Sequence, residues 1–592
     1  MSVRRVGRLA AMVLPILVWM ACGQVYRPVV IPCSTGGVPG CPVETSPQPN
    51  NFHDVFGIST NAPNYPGTAM QIDVSGDSLV GETPSNDSSK PNLGDNPTHM
   101  AIFPNNSRVF VASPGSVLSG GLDVVSSFTP VFQSTLATGL GAVNTIDLPP
   151  GSQPVFLNTT QNNALYVANF GTNSVSEINT TSNVVTNSAT VGANPVSLAE
   201  TPNAFKLYVA NQGSNTVSSL NPLDLTPNTV TGFTGVTPVW VVARGDSQKV
   251  YVLTEGDGQL VTIDVATDTV TSSLPVGPGA NFIFYDPNLN RLYVTNPVTS
   301  TVYVFSDTSA TDTPTQLAAI SFLAGSTPCP KGCTPVSVTA LLDGSRFYVA
   351  SYQTATTCPD PNVTGACAIP GLTVFDANSL TVKYPSAPTL TLLSSNATSF
   401  AANQYAVAPV PSCAAAPLYP ALYSPSTTRF RMFTVASADS SRIYVSMCDA
   451  GAVAVINTTG GNTNNPGTPL PPDTVVTDLP AAPAACTQPT CSNTALITTF
   501  SITSNVVTFQ AANTFAPGQQ VTISGFSTGT SFNGSTNDTY LNGVTLTVLP
   551  TGLSSTQFEC NFTHANESLT TDSGNAVPQA SPQAPIFLIT GQ

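Results

Sequence analysis

Charge is scarce in this chain: only 8% of its 592 residues are Asp, Glu, Lys or Arg, and histidine occurs three times, at His53, His99 and His564. So few ionisable side chains exclude surface helices laced by ion pairs. The abundance of Ser, Thr, Asn, Gly and Pro favours strands and turns instead. Basic residues are the rarer sign, 16 against 31 acidic, and the net charge of −15 removes the long-range attraction that nucleic acid or an anionic membrane surface would require. Metal and phosphate chemistry lacks its usual patterns, with no CxxC pair, no HExxH and no phosphate-binding glycine loop. A single G-x-S-x-G match, from Gly525 to Gly529, follows a strand-like run but precedes no helical one, and is read as chance. No metal, cofactor or catalytic residue is assigned on these grounds.

The segment 1–22 places Arg4, Arg5 and Arg8 before an apolar run at 9–19 and then Ala21-Cys22, which reads as an export signal outside the fold. That run is too short to span a bilayer. Its ending resembles the lipobox of bacterial lipoproteins, although Trp19 stands where Leu is usual. The resemblance implies lipidation at Cys22, with ordinary signal cleavage as the alternative. Both imply a mature chain outside the cytoplasm, held to the membrane by a lipid anchor at most and facing the periplasm or the cell surface. The segment 23–50, with six prolines and no periodicity, reads as a tether.

Cysteine usage agrees with export. Cys33/Cys41, Cys329/Cys333, Cys358/Cys367, Cys413/Cys448 and Cys486/Cys491 form pairs near in sequence or in the expected fold, and disulfides are the favoured reading over metal ligation. Cys560 is left over and alternates with Phe558 and Phe562, as a small buried hydrophobe would.

What the chain has in quantity is a repeat. Tyr166-Val167, Tyr208-Val209, Tyr251-Val252 and Tyr293-Val294 follow one another at a spacing of 42 or 43, and the step returns at Phe110-Val111, Tyr348-Val349 and Tyr444-Val445 across longer gaps. A period near 43 built of short strands is the signature of a β-propeller, whose four-stranded blades bury their faces only against their neighbours. Five copies open with a proline, Pro97, Pro154, Pro195, Pro238 or Pro335, at a near-constant distance before the aromatic, where a missing N–H is tolerated. The expected fold is therefore all-β: a seven-bladed propeller at 51–485, followed by a small β-sandwich at 486–592. Two runs at 70–74 and 78–80 look like the last two strands of a blade before the Pro97 copy and are read as the closing strands that pair the two ends of the ring, with an eighth blade as the alternative.

Tyr293-Val294-Thr295-Asn296 gives in full, and Tyr166 to Asn169 and Tyr208 to Asn211 nearly so, the motif by which this repeat resembles the YVTN repeat of bacterial and archaeal surface-associated seven-bladed propellers. It is also similar, more distantly, to propeller lactonases. The stretches at 515–526 and 541–548 look like a small module of bacterial surface proteins, a spacer or adhesion unit.

Six copies carry a basic residue two places before the aromatic, Arg108, Lys206, Lys249, Arg291, Arg346 and Arg442; Ala164 stands there in the remaining one. A solvated side chain that guards the strand start is the reading preferred over an anion-binding crown. Insertions at 352–371 and 385–430 fall in loops that open on one face of the disc. They bring together Tyr352, Tyr405, Tyr419, Tyr423, Phe430, Arg429 and Arg431 beside the cysteine pairs, a surface suited to a protein or a glycan. The expected function is a monomeric, non-catalytic cell-envelope binding or scaffolding protein. The alternative is a lactonase hydrolysing a sugar lactone in the central funnel, for which the inner strands offer little beyond Glu200 and His99. A quinoprotein dehydrogenase is less favoured still, since Trp240 is the one tryptophan outside the export signal.

Overall fold

A period-two strand sends the repeat's aromatic, and the residue two beyond it, to one side of the sheet and its Val to the other. A residue directly opposite in the paired strand shares that side. The computed structural model describes residues 54–59, 68–74, 78–83, 93, 97–103, 107–114, 124–130, 144–159, 164–308, 313–356, 367–392, 432–448, 452–460, 471–479, 495–513, 515, 520–526, 538–549, 551–554, 556–578 and 585–591. Within them eight four-stranded antiparallel meanders appear, and their inner strands neighbour one another around a closed circle. The chain is an all-β propeller.

The blade count is eight where the repeats counted seven. Blades 2 to 8 span residues 99–147, 154–190, 195–229, 238–275, 282–321, 334–391 and 432–479. Blade 1 joins the two ends of the chain: Asp54–Ser59, Thr68–Asp73 and Ser78–Thr83 supply its outer three strands, and Pro585–Thr590 supplies the inner one. Its aromatic step is Phe56-Gly57-Ile58, with glycine in place of valine. A Cβ on Gly57 would stand 2.8 Å from Leu588 Cδ2 and 3.2 Å from Met70, so the closing strand leaves no room for the usual residue.

The range 486–592 is corrected accordingly, because 585–590 belongs to the ring. The intervening strands, from Ala495–Thr503 to Gly574–Pro578, have their own core of Phe500, Phe509, Phe526 and Phe558. They form one seven-stranded sheet instead of two packed sheets, and a Val548–Cys560 bridge joins its ends, so the unit curls into a small barrel. Cys560 is free and buried there, and burial pushes its thiol up.

The prolines that open blades 3, 4, 5 and 7 each precede a register shift in which the next residue, Val155, Val196, Val239 or Val336, is bulged and buried. A bulge at that point re-aims the following side chain. The Asn of the motif serves the turn after the second strand: Asn296 Nδ2 donates to the carbonyls of Val276, Gly277 and Pro278, and its Oδ1 accepts from the amides of Val298 and Thr299.

The basic residues are the clearest departure from expectation. They are not solvated guards; five of them reach into the turn between the third and outer strands of the next blade. Arg108 meets the Thr180 carbonyl and Asn183 Oδ1. Lys206 meets Asp268, Lys249 meets Asp307, Arg291 meets the Ala377 carbonyl and Arg346 meets Asp473. The repeat tyrosines converge on the same turns, with the Tyr208, Tyr251 and Tyr348 hydroxyls donating to Asp268, Asp307 and Asp473. Burial, and then these bonds to carboxylates, push all three phenols up. Burial alone would raise the Asp473 carboxyl, but bonds from Arg346, Tyr348 and Tyr384 outweigh it and hold the group below its ordinary value.

Asp307 is almost fully buried between Lys249 and Arg244, which are buried as well. Removing one member of such a cluster strands the others without a counter-charge. Asp307→Ala is expected to cost about 3–5 kcal/mol in urea unfolding, well beyond an Ala substitution at the exposed Asp224.

Candidate functional site

Every inner strand contributes one residue that lies opposite the position two beyond the aromatic: His99, Phe156, Ser197, Trp240, Phe282, Ser337, Phe433 and Phe587. Six of these eight are rings. They contact one another in a closed circuit, with centroid separations of 3.7 Å for His99–Phe156, 5.8 Å for Phe156–Trp240 and 5.2 Å for Trp240–Phe282. Phe282–Phe433 at 5.6 Å, Phe433–Phe587 at 4.4 Å and Phe587–His99 at 4.6 Å complete it. The circuit passes across the two serine positions, which only side chains turned toward the axis can do. Five of the rings are at most 9% exposed and Trp240 is partly exposed, so the axis at this level is packed and not a water-filled funnel.

The two funnel candidates are not brought together. His99 is stacked within the circuit, and its Nδ1 accepts a bond from the Leu157 amide at 3.3 Å, so that nitrogen is engaged with the backbone. Glu200 lies three positions past the axial Ser197 of its own strand, about 10 Å further along the axis at strand rise and on the other side of the sheet. It is half-buried, Oε1 has no hydrogen-bond partner, and burial pushes its carboxyl up to about 7. An acid and a base that far apart, one of them locked in packing, do not form a catalytic pair.

The upper face, where the second-to-third loops and the links between blades open, holds the other candidates. Cys329 and Cys333 form a disulfide in the link leading into blade 7, both buried. Cys448, at the end of the second strand of blade 8, is buried and disulfide-bonded. The insertion after Tyr348 begins as a hairpin: Arg346–Ala355 and Cys367–Asp376 pair along their whole length, placing Cys367 opposite Ala355. Tyr352 lies in that extension opposite Thr334 and Pro370, and packs partly buried on the core of blades 7 and 8. Val236, Val298 and Leu323 are exposed on upper loops of blades 5, 6 and 7, an apolar feature that motif reading did not single out. Cys22, Cys33, Cys41, Cys358, Cys413, Cys486, Cys491, Tyr405, Tyr419, Tyr423, Arg429, Phe430 and Arg431 lie outside the described residues. Among the described residues no three His, Cys, Asp or Glu side chains are grouped to hold a metal.

No protein-family model matches the sequence, and no curated protein does. Solved structures with similar coordinates are propellers. A Bacteroides uniformis protein assigned as a 6-phosphogluconolactonase is 14% identical, with a TM-score of 0.40 over 56% of this chain and 95% of that one. The β-propeller domain of Cps50 (Swd1) from Myceliophteria thermophila is 9% identical, with a TM-score of 0.40 over 63% and 99%. Virginiamycin B lyase from Staphylococcus aureus is 12% identical, with a TM-score of 0.34 over 49% and 83%. At these levels they carry no statement about this chain's chemistry.

Because the folded chain holds the Glu200 proton more tightly than an unfolded one, that contribution to stability is whole below about pH 4.5 and is lost as pH rises through about 7. Thermal unfolding from pH 4.5 to 8 is expected to show a fall that Glu200→Gln reduces, and unchanged slopes in the variant would rule out the burial.

Proposed function

We propose that the protein is a non-catalytic, envelope-attached recognition or scaffolding propeller of the YVTN type, exported as a lipoprotein through Cys22, which binds a protein or a glycan through the upper loops of blades 7 and 8. The observation that carries this reading is the packed aromatic axis, which occupies the place where a funnel enzyme would bind its substrate. It is supported by the disulfide at Cys329–Cys333, the bonded Cys448 and the extended hairpin, all in one sector of one face. Long loops held on a rigid scaffold are where recognition is usually placed.

The full chain and a variant with residues 393–430 replaced by a short Gly-Ser linker are to be compared for retention of purified envelope polysaccharide and of a defined outer-surface protein fraction. Retention by the full chain and its loss in a variant of unchanged circular dichroism is the expected outcome; equal retention would overturn the assignment to this sector. Hydrolysis of 6-phosphogluconolactone, measured on the same samples, is expected at the uncatalysed rate. Turnover abolished by His99→Ala or Glu200→Gln would favour the lactonase alternative.

A further inference from the structure

Five of the eight junctions between blades follow one rule, from which the junction of blades 3 and 4 departs, as does blade 1, where Asp54 stands two before the aromatic. In blades 2, 4, 5, 6 and 7 the residue two before the aromatic is Arg or Lys, and its cationic group bonds to the next blade's turn. In blade 3 that residue is Ala164. Its aromatic keeps the usual partner, since the Tyr166 hydroxyl donates to the Pro222 carbonyl in the turn of blade 4 at 2.8 Å. Asn187 Nδ2 of blade 3 donates to the Asp224 carbonyl of the same turn at 3.0 Å, so neutral donors reach this turn and no side chain at position 164 brings a cation to it.

Two neighbouring positions change in the opposite sense. The residue opposite the aromatic is Gln71, Ser127, Ser219, Thr262, Val304, Val374 and Val455 in the other seven blades, but Glu177 in blade 3. In blade 2 this position touches the cation directly, because Arg108 donates to Ser127 Oγ. Three past the axial residue, the inner strands carry Ile102, Thr159, Ala243, Tyr285, Ala340, Ala436 and Thr590, but Glu200 in blade 4. Glu200 lies opposite Leu207, on the face turned toward blade 3, while Glu177 shares the face of Tyr166 turned toward blade 4. Glu177 is the direct cross-strand partner of Tyr166, both carboxylates act with burial to raise the Tyr166 phenol, and burial raises both carboxyls. Residues 160–163, which link the two strands before Tyr166, include no charged side chain.

We propose that the junction of blades 3 and 4 is a binding site for a guanidinium or alkylammonium group from outside the ring, held by Glu177, the unpartnered Oε1 of Glu200 and the acceptors of the 222 turn, in the place that Arg or Lys fills in the neighbouring blades. Glu177 is partly exposed, so the site opens to solvent at the rim. A charged group seated there gains charge-assisted bonds like those of Lys206 and Arg346. The chemistry fits either a free organic cation or an arginine of a partner chain.

Calorimetric titration of the full chain at pH 8 with agmatine and with acetyl-Gly-Arg-Gly-amide, against tetramethylammonium and matched NaCl, tests this. Saturable uptake of one equivalent is expected, weakened about 10-fold or more in Glu177→Gln and abolished in Ala164→Arg, which fills the place from within and should raise the melting temperature. Tighter binding of agmatine would mark a free cation, and tighter binding of the peptide a partner's arginine. Absence of saturable binding, or equal affinity in Glu177→Gln and wild type, would overturn the proposal. Should Ala164→Arg fail to fold, the Glu177→Gln comparison decides alone.

Discussion

A blade has two apolar faces and can bury them only against other blades, so nothing in this ring is stable unless the ring closes. Closure rests on one strand, Pro585–Thr590, which pairs with Asp54–Ser59 across almost the whole length of the chain. Pairing Ile58 with Phe587 is among the most non-local contacts the sequence permits, and its entropic cost is met only when the rest of the circle is formed. The same constraint explains why the small barrel at 495–578 is bound to the ring at both ends: the chain leaves after the outer strand of blade 8 and returns as the inner strand of blade 1.

Closure also decides what the axis can do. Phe587 arrives with the closing strand and completes the ring circuit between Phe433 and His99. Aromatic pairs of this kind contribute about 0.5–1.5 kcal/mol each beyond their burial, and the buried clips at Asp268, Asp307 and Asp473 fix the outer radius. A disc locked at its axis and its rim offers its loops as the place for recognition.

Much of this was legible in the sequence. The repeats Tyr166 to Tyr444 marked the second strands, and the spaced prolines marked the inner ones. Of the eighth blade the runs at 70–74 and 78–80 were legible as outer strands, while its second and inner strands were hidden for physical reasons. Gly57 replaces the diagnostic valine because Leu588 and Met70 crowd it. The register partner of Ile58 is Ala69, so the link between the second and third strands is longer in blade 1 than in the copies whose spacing is constant. The closing strand does carry the usual opening, Pro585-Ile586-Phe587, but pattern reading had no reason to assign it to a ring that begins at the opposite end of the chain. The basic residues were visible as a series, and their role was not, because sequence spacing within a blade does not reveal the turn of the next one. The axial circuit could have been found by aligning the residues two past each proline, where His99, Phe156, Trp240 and Phe587 fall in register.

Hydrogen exchange of the peptide covering 585–590, followed by mass spectrometry in the native full chain, tests the closed eight-bladed ring most directly. Protection equal to that of the inner strand Pro195–Glu200 is predicted, because both strands would open only when the ring unfolds. Exchange of 585–590 at the rate of an unstructured peptide, with Pro195–Glu200 still protected, would contradict the account.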